Sequence, residues 1–224
     1  MTLTCLIPAY NEASRIAAVL EAVLNHPLID EVLVIDDGST DATSAVVQTY
    51  PQARLITLTS NGGKTAALAR GLSEAKYPLI LLVDADLLGL SQADLTALIT
   101  PVLTNQADIS ISLRQNAPFL WRWIGLDYIS GERFLHKSLL QGHEAALSNL
   151  PKFGFEVYLN SLLIQQSARI AVVEWPGVAS PMKTTKYGFW GGLKADVKML
   201  SDLARAVGPI GLVRQVVRMR AMRV

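Results

Sequence analysis

The sequence predicts an α/β fold: a mostly parallel sheet flanked by helices, with a helical C-terminal segment. Two observations predict it. Short apolar runs of strand length recur through the first half, and between them apolar residues return at helical spacing. The runs are also continuously apolar, as expected of strands buried on both faces beneath helices. Strand and helix alternating in this way give a parallel sheet, whose ligands bind beyond the carboxyl ends of the strands.

The elements follow in order. Residues 3–7 read as the first strand, and Ile16, Val19, Leu20, Val23 and Leu24 mark the first helix. Strands follow at 32–35, 55–58 and 79–83, with helices at 43–50, 65–75 and 92–103. Residues 109–113 alternate, which predicts a fifth strand with one less-buried face. Residues 119–124 are an aromatic cluster, and 131–140 and 155–166 read as helices. A late strand is expected at 170–173. Two closing helices are expected at 190–206 and 210–222, divided by Gly208-Pro209.

Composition narrows the class. The 224 residues suit one domain of ~100–200 residues with an appendage. Half of them are apolar and 17% charged, which excludes disorder as the main state. The single Cys5 excludes a disulfide framework and a Cys-rich zinc site. Mean hydropathy is high at +0.31. Yet no apolar run approaches the ~18–20 residues that cross a bilayer. Met1-Thr2-Leu3-Thr4 lacks the basic start of a signal peptide, so a cytoplasmic location is expected. The net charge of +1 is unevenly spread. From Lys183 onward there are nine Lys and Arg against two Asp; before it, eleven against seventeen acids. An acidic body with a basic tail points to a surface that meets anions.

Polar clusters end four of the strands. They are Pro8-Ala9-Tyr10-Asn11-Glu12, Asp36-Asp37-Gly38-Ser39-Thr40-Asp41, Asn61-Gly62-Gly63-Lys64 and Asp84-Ala85-Asp86. Each has a structural reading: Ser39 or Asp41 as a helix cap, Asn61-Gly62-Gly63 as a turn, Tyr10 as packing. The paired carboxylates are harder to explain that way. They stay charged only beside a cation, and Mg²⁺ or Mn²⁺ favours carboxylate oxygen combined with phosphate. Strand alternation would put Asp84 and Asp86 on one side. Lys64 sits at an expected helix start, where free N–H groups attract anions. A P-loop fails, because its first glycine would fall at Leu58, and no G-x-G-x-x-G follows the first strand. What remains is a metal-bridged phosphate ligand with a flat ring near Tyr10, as in a nucleoside diphosphate.

These four motifs, in this order, resemble family 2 glycosyltransferases of the GT-A fold, with its Rossmann-like sheet. The resemblance covers roughly residues 3–114. Ser130-Gly131-Glu132-Arg133 and Phe153-Gly154-Phe155-Glu156 are similar to segments of polyprenyl-phosphate glycosyltransferases and glucosyl-3-phosphoglycerate synthases. The resemblance implies a GT-A domain over 1–182, with a nucleotide-binding half to about 114, an acceptor half over 115–182, and a basic helical segment over 183–224. It implies a donor that is a UDP- or GDP-sugar, Mg²⁺ or Mn²⁺, and inversion at the anomeric carbon. By position, Tyr10 would stack on the base, Asp37 would hydrogen-bond its edge, and Pro8 and Glu12 would shape the pocket. Lys64 would meet the diphosphate, Asp84 the ribose and Asp86 the metal. Gly131 and Arg133 would contact the acceptor. Glu156 is the candidate general base, against a structural reading in which it pairs with Arg133 or Lys137. A phosphate acceptor would need no base.

The chain departs from the family in one place. Relatives often follow a Gly-Val pair with a metal-binding His; here Gly177-Val178 precedes Ala179-Ser180-Pro181. The Q-x-x-R-W segment of processive synthases is absent as well. Two alternatives accompany the transferase reading: a catalytically degenerate nucleotide-sugar-binding protein and a sugar-nucleotide pyrophosphorylase. The latter lacks its Gly- and Arg-rich loop here. In the tail, Arg205, Arg214, Arg218, Arg220 and Arg223 interleave with aliphatic residues. That pattern reads either as a helix on anionic lipid at the inner face of a membrane, near a lipid-phosphate acceptor, or as a helix on the core with solvated arginines. No nucleic-acid-binding module is recognisable.

Overall fold

The computed structural model describes residues 2–147, 150, 154–181, 203 and 207–224. The helix expected over 190–206 lies outside the described residues apart from Leu203, as does Phe153. Seven strands form one sheet: β1 (Leu3–Ala9), β2 (Glu31–Asp36), β3 (Ala53–Thr57), β4 (Leu79–Leu82), β5 (Ile109–Arg114), β6 (Arg133–His136) and β7 (Ile170–Trp175). Their spatial order is β3-β2-β1-β4-β6-β5-β7. All neighbours are parallel except that β6 runs antiparallel between β4 and β5.

Alternation along each strand divides two cores. On one face Cys5, Ile7, Val32 and Leu81 pack beneath α1 (Ile16–Leu24), α2 (Thr43–Gln48) and α4 (Gln92–Leu103). On the other, Leu6, Leu33, Ile35 and Ile80 pack beneath α3 (Lys64–Glu74), α5 (Phe119–Ile124) and the α-helix Gly154–Gln165. A short α6 (Glu144–Leu147) precedes that last helix, which is α7, and α8 (Pro209–Ala221) packs on it. Continuous apolar runs thus follow from two buried faces. Ser91 and Asp94 form a reciprocal capping box that starts α4 at Gln92.

Two expectations are corrected. Residues 131–140 are not a helix: β6 occupies 133–136, and a 3₁₀ turn follows at Lys137–Leu140. Phe134 points into one core and Leu135 into the other, which is strand alternation between two apolar layers. A four-residue run is too short for its period to separate strand from helix. Nor does β5 have a less-buried face. Ser110 and Ser112 are fully buried; Ser110 donates to the Leu98 carbonyl and Ser112 bonds Ser130 and Glu132. Buried hydroxyls with partners mimic the pattern of solvent exposure.

The strand order sets the site. From β1 the chain turns one way to β2, and α3 later carries it across to β4 on β1's other side. That reversal opens a crevice at the carboxyl ends of β1 and β4. The helix α3 approaches the sheet through Gly71, where a Cβ would lie 3.1 Å from Ile35 and 3.3 Å from Leu6. Gly71→Leu is expected to destabilise the fold by about 1–3 kcal/mol through overpacking. The check is the urea midpoint; an unchanged value would show that α3 has room to spare.

Candidate active site

A cleft of about 200 Å³ opens at that crevice. Pro8, Tyr10, Glu12, Asp37, Lys64, Asp84 and Asp86 all line it. Every nucleotide- and metal-site residue expected from sequence is therefore gathered in one place. Tyr10 is exposed, with its ring free to stack.

Most of the second loop is used to hold itself. Asn11, at φ 57°, sits in the left-handed region that Asn tolerates. Its side-chain oxygen accepts from Thr40 N at 2.9 Å, and its own N–H donates to Ser39 Oγ at 2.9 Å. Glu12 N donates to Thr43 Oγ1 at 2.8 Å. Asp36 accepts from Ser39 N and Ser44, and Asp41 from Thr43 and Ala13. These contacts lock the β1–α1 loop to the β2–α2 loop. Asp37 alone reaches the cleft. It accepts from Gly62 N at 2.9 Å and Gly63 N at 2.7 Å, fixing the turn that delivers Lys64.

Lys64 is the first residue of α3. Its Nζ lies 2.6 Å from Asp84 and 3.2 Å from Glu156, in the first turn of α7. Burial works against its charge, but Asp84 and Glu156 outweigh that and hold the ammonium above its usual range. For Asp84, burial raises the pKa, while Lys64 and Arg114 lower it further, so it stays ionised. Among the described residues, Asp86 forms no ion pair. Burial, then repulsion from Asp84 and Glu12, pushes it up to about 6. Its place beside Asp84 does not come from strand alternation, because β4 ends at Leu82 and residues 85–86 form a turn.

Gly131 and Arg133, the expected acceptor contacts, are both buried. A Cβ on Gly131 would lie 2.3 Å from Lys64 Nζ and 2.6 Å from Asp84 Oδ1, so this glycine makes room for the ion pair. Arg133 is fully buried and donates to Ser130 O at 2.9 Å, Asn160 Oδ1 at 2.7 Å and Tyr128 O at 3.1 Å. It braces the turn that presents Gly131. Glu156 is buried and pairs with Lys64 rather than with Lys137, whose ammonium donates to Ala75 O.

Sequence reasoning missed Arg114 and Asp127, and gave Glu132 no role within the Ser130–Arg133 segment. Arg114 ends β5 and reaches Glu132 at 3.4 Å, Asp127 at 3.5 Å and Ser180 Oγ. Its charge also bears on Asp84 and Asp86. Burial pushes Asp127 up to about 6, against the pull of Arg114. The strand-end rule that picked out four loops would have found Arg114, had it been applied to the fifth strand.

The donor set suits a hard divalent cation. Asp86 is an under-compensated carboxylate among others, and oxygen ligands favour Mg²⁺ or Mn²⁺. Among the described residues, no three His, Cys, Asp or Glu side chains gather to hold a metal. Leu88 N donates to Ala179 O at 2.8 Å and Ala179 N returns to Leu88 O at 3.0 Å. Ala179, the residue after Gly177-Val178, therefore lies beside the Asp84–Asp86 loop.

Residues 4–167 match the glycosyl transferase family 2 description. The chain belongs to this family. A dolichyl-phosphate beta-glucosyltransferase of Trichomonas vaginalis is 38% identical over 96 residues, 37% of this chain and 28% of that protein. A dodecaprenyl-phosphate galacturonate synthase of Rhizobium johnstonii is 28% identical over 125 residues, 52% of this chain and 37% of that one. The chain spans roughly a third of the length of these two relatives. Glucosyl-3-phosphoglycerate synthase from Mycobacterium tuberculosis, solved with Mn²⁺ and uridine-diphosphate-glucose, shares the fold. It covers 92% of this chain and 79% of its own, with a TM-score of 0.68 at 24% identity. The mostly parallel sheet with flanking helices is thus the GT-A architecture that the motifs implied.

Gly131→Ala is expected to force Lys64 and Asp84 apart. Nucleotide binding should weaken by about 1.4 kcal/mol, tenfold in affinity. Calorimetric titration with UDP and GDP checks this, and unchanged affinity would mean the pair can shift without consequence.

Proposed function

We propose that this chain is the catalytic domain of an inverting glycosyltransferase. It takes a sugar from a UDP- or GDP-sugar and transfers it to a polyprenyl phosphate or another phosphorylated or lipid acceptor. The observation that carries this reading is the junction at Lys64. One ammonium joins the cleft of Asp37, Asp84 and Asp86 to Glu156, the candidate base. Relatives that act on lipid-linked phosphates support the acceptor class.

The chemistry follows from the residues. Tyr10 stacks on the base, and Asp37 offers carboxylate oxygen to its edge. Lys64 leaves Asp84 for the diphosphate, and Asp84 turns to the ribose. Asp86 would hold Mg²⁺ or Mn²⁺, which neutralises charge on the departing nucleoside diphosphate. The acceptor oxygen attacks the anomeric carbon from the face opposite the leaving group. A new C–O bond forms as the bond to the diphosphate breaks. With a hydroxyl acceptor, Glu156 takes the proton. With a phosphate acceptor it only positions groups.

Asp86 supplies a pH test. Its folded value near 6 lies above the ordinary 3.8, so without a cation its ionisation costs stability as pH rises through that window. A bound metal removes the cost and displaces the proton. Mn²⁺ affinity should therefore fall about tenfold per pH unit below 6. Thermal shift with UDP- and GDP-sugars should show a metal-dependent rise for one nucleotide, lost in Asp86→Ala. No rise with any nucleotide, in folded protein, would sink the transferase reading.

Glu156→Gln separates the acceptor classes. Turnover of a hydroxyl acceptor should drop by about 10²–10⁴-fold, whereas a phosphate acceptor should lose less than about tenfold. Initial rates with glycerol-type and polyprenyl-phosphate acceptors measure the difference. Full activity on both would remove Glu156 from the mechanism.

A further inference from the structure

The helix α8 has two apolar faces; among the described residues, one packs on the fold and the other is exposed. Leu212 and Met219 face inward and are buried in the core, while Gln215 bonds the Tyr128 hydroxyl and Ser161 Oγ at 3.0 Å. On the opposite side Ile210, Val213 and Val217 are 82%, 64% and 62% exposed. At about 100° per residue these three fall in a stripe roughly 60° wide, centred opposite the buried face. Arg214 and Arg218 border the stripe on one side and Arg220 on the other. The helix carries no acidic residue. Nearby, α5 exposes Phe119 and Trp123 at 78% and 72%. Gly125, just past α5, faces the guanidinium of Arg223, just past α8; a Cβ there would lie 2.7 Å from it.

Among the described residues, an exposed aliphatic stripe bordered on its helix by arginines is unexplained by folding, since scattered single residues are ordinary and aligned ones are not. We propose that this outer face of α8 docks on an anionic lipid bilayer. The stripe would enter the headgroup–acyl boundary and the flanking arginines would meet lipid phosphates. The exposed Phe119 and Trp123 are residue types found on the apolar faces of interfacial helices. Charge decides against a second copy of the chain. A two-fold contact through this face would set Arg214, Arg218 and Arg220 against their own equivalents, with no acid on the helix to answer them. The surface deepens the lipid-acceptor reading given above, but binding depends only on α8 and α5, so it is tested apart from catalysis.

The test is co-sedimentation of the full chain with vesicles of phosphatidylcholine alone and of phosphatidylcholine with phosphatidylglycerol. Binding to the anionic vesicles is expected, with loss at high salt. V213S/V217S should abolish it, and R214Q/R218Q should weaken it about fivefold per arginine. Both variants should keep the wild-type melting temperature and nucleotide-induced shift, since none of the four residues touches the cleft. W123S is a second variant that leaves α8 intact and should also weaken binding. Absence of binding by folded wild type, or equal binding to both vesicle types, overturns the proposal. So does a dimer in gel filtration that V213S/V217S dissociates, which would assign the face to a second copy.

Discussion

The ion pairs of Lys64 hold this site together. Its ammonium sits between Asp84, beyond β4, and Glu156, at the start of α7. Those acids come from the two halves of the chain, so one charge fixes the distance between them. Gly131 leaves the space that this contact needs, and Asp37 fixes the turn from which Lys64 emerges. Around it the cleft is short of positive charge: Glu12, Asp84 and Asp86 face it, and Asp86 is left with a raised pKa. A diphosphate ligand would add more negative charge, which is why the donor and a divalent cation belong together in the reading proposed here.

Behind the cleft lies a second layer of buried charge. Arg114 meets Asp127 and Glu132, and Arg133 meets Asn160 and two carbonyls. Buried charges are costly unless partnered, and removing one partner strands the rest. This layer ties β5, β6 and the turn at 127–131 to the segment at Ser180, which Asn116 also grips through both its amide groups. The Gly177–Ala179 stretch is thereby held beside the Asp84–Asp86 loop, where Leu88 and Ala179 pair. The segments around Arg114, Glu132 and Ser180 are thus anchored to the Asp84–Asp86 loop through polar contacts as well as core packing.

Much of the first half was legible because local signals agreed there. Continuous apolar runs, helical spacing and polar strand ends all pointed to one architecture and to four polar clusters, within which the family resemblance marked seven residues that line the cleft. Legibility failed where burial hid polarity. Ser110 and Ser112 imitate an exposed face, though their hydroxyls are satisfied internally. The run at 133–136 is too short to show its period. The resemblance implies an acceptor contact for Arg133, yet its guanidinium is wholly enclosed.

The order of motifs along the chain, their residue types and the alternation of strands with helices determined the fold class and the set of cleft residues. Those features are local, and a parallel sheet brings its strand ends together whatever the remaining details. Only the tertiary structure decided which carboxylate keeps a cation and which does not, that Glu156 faces Lys64, and that α8 turns one apolar face inward and one outward. Each of these depends on distances between residues far apart in sequence, and on dehydration that no single segment can report.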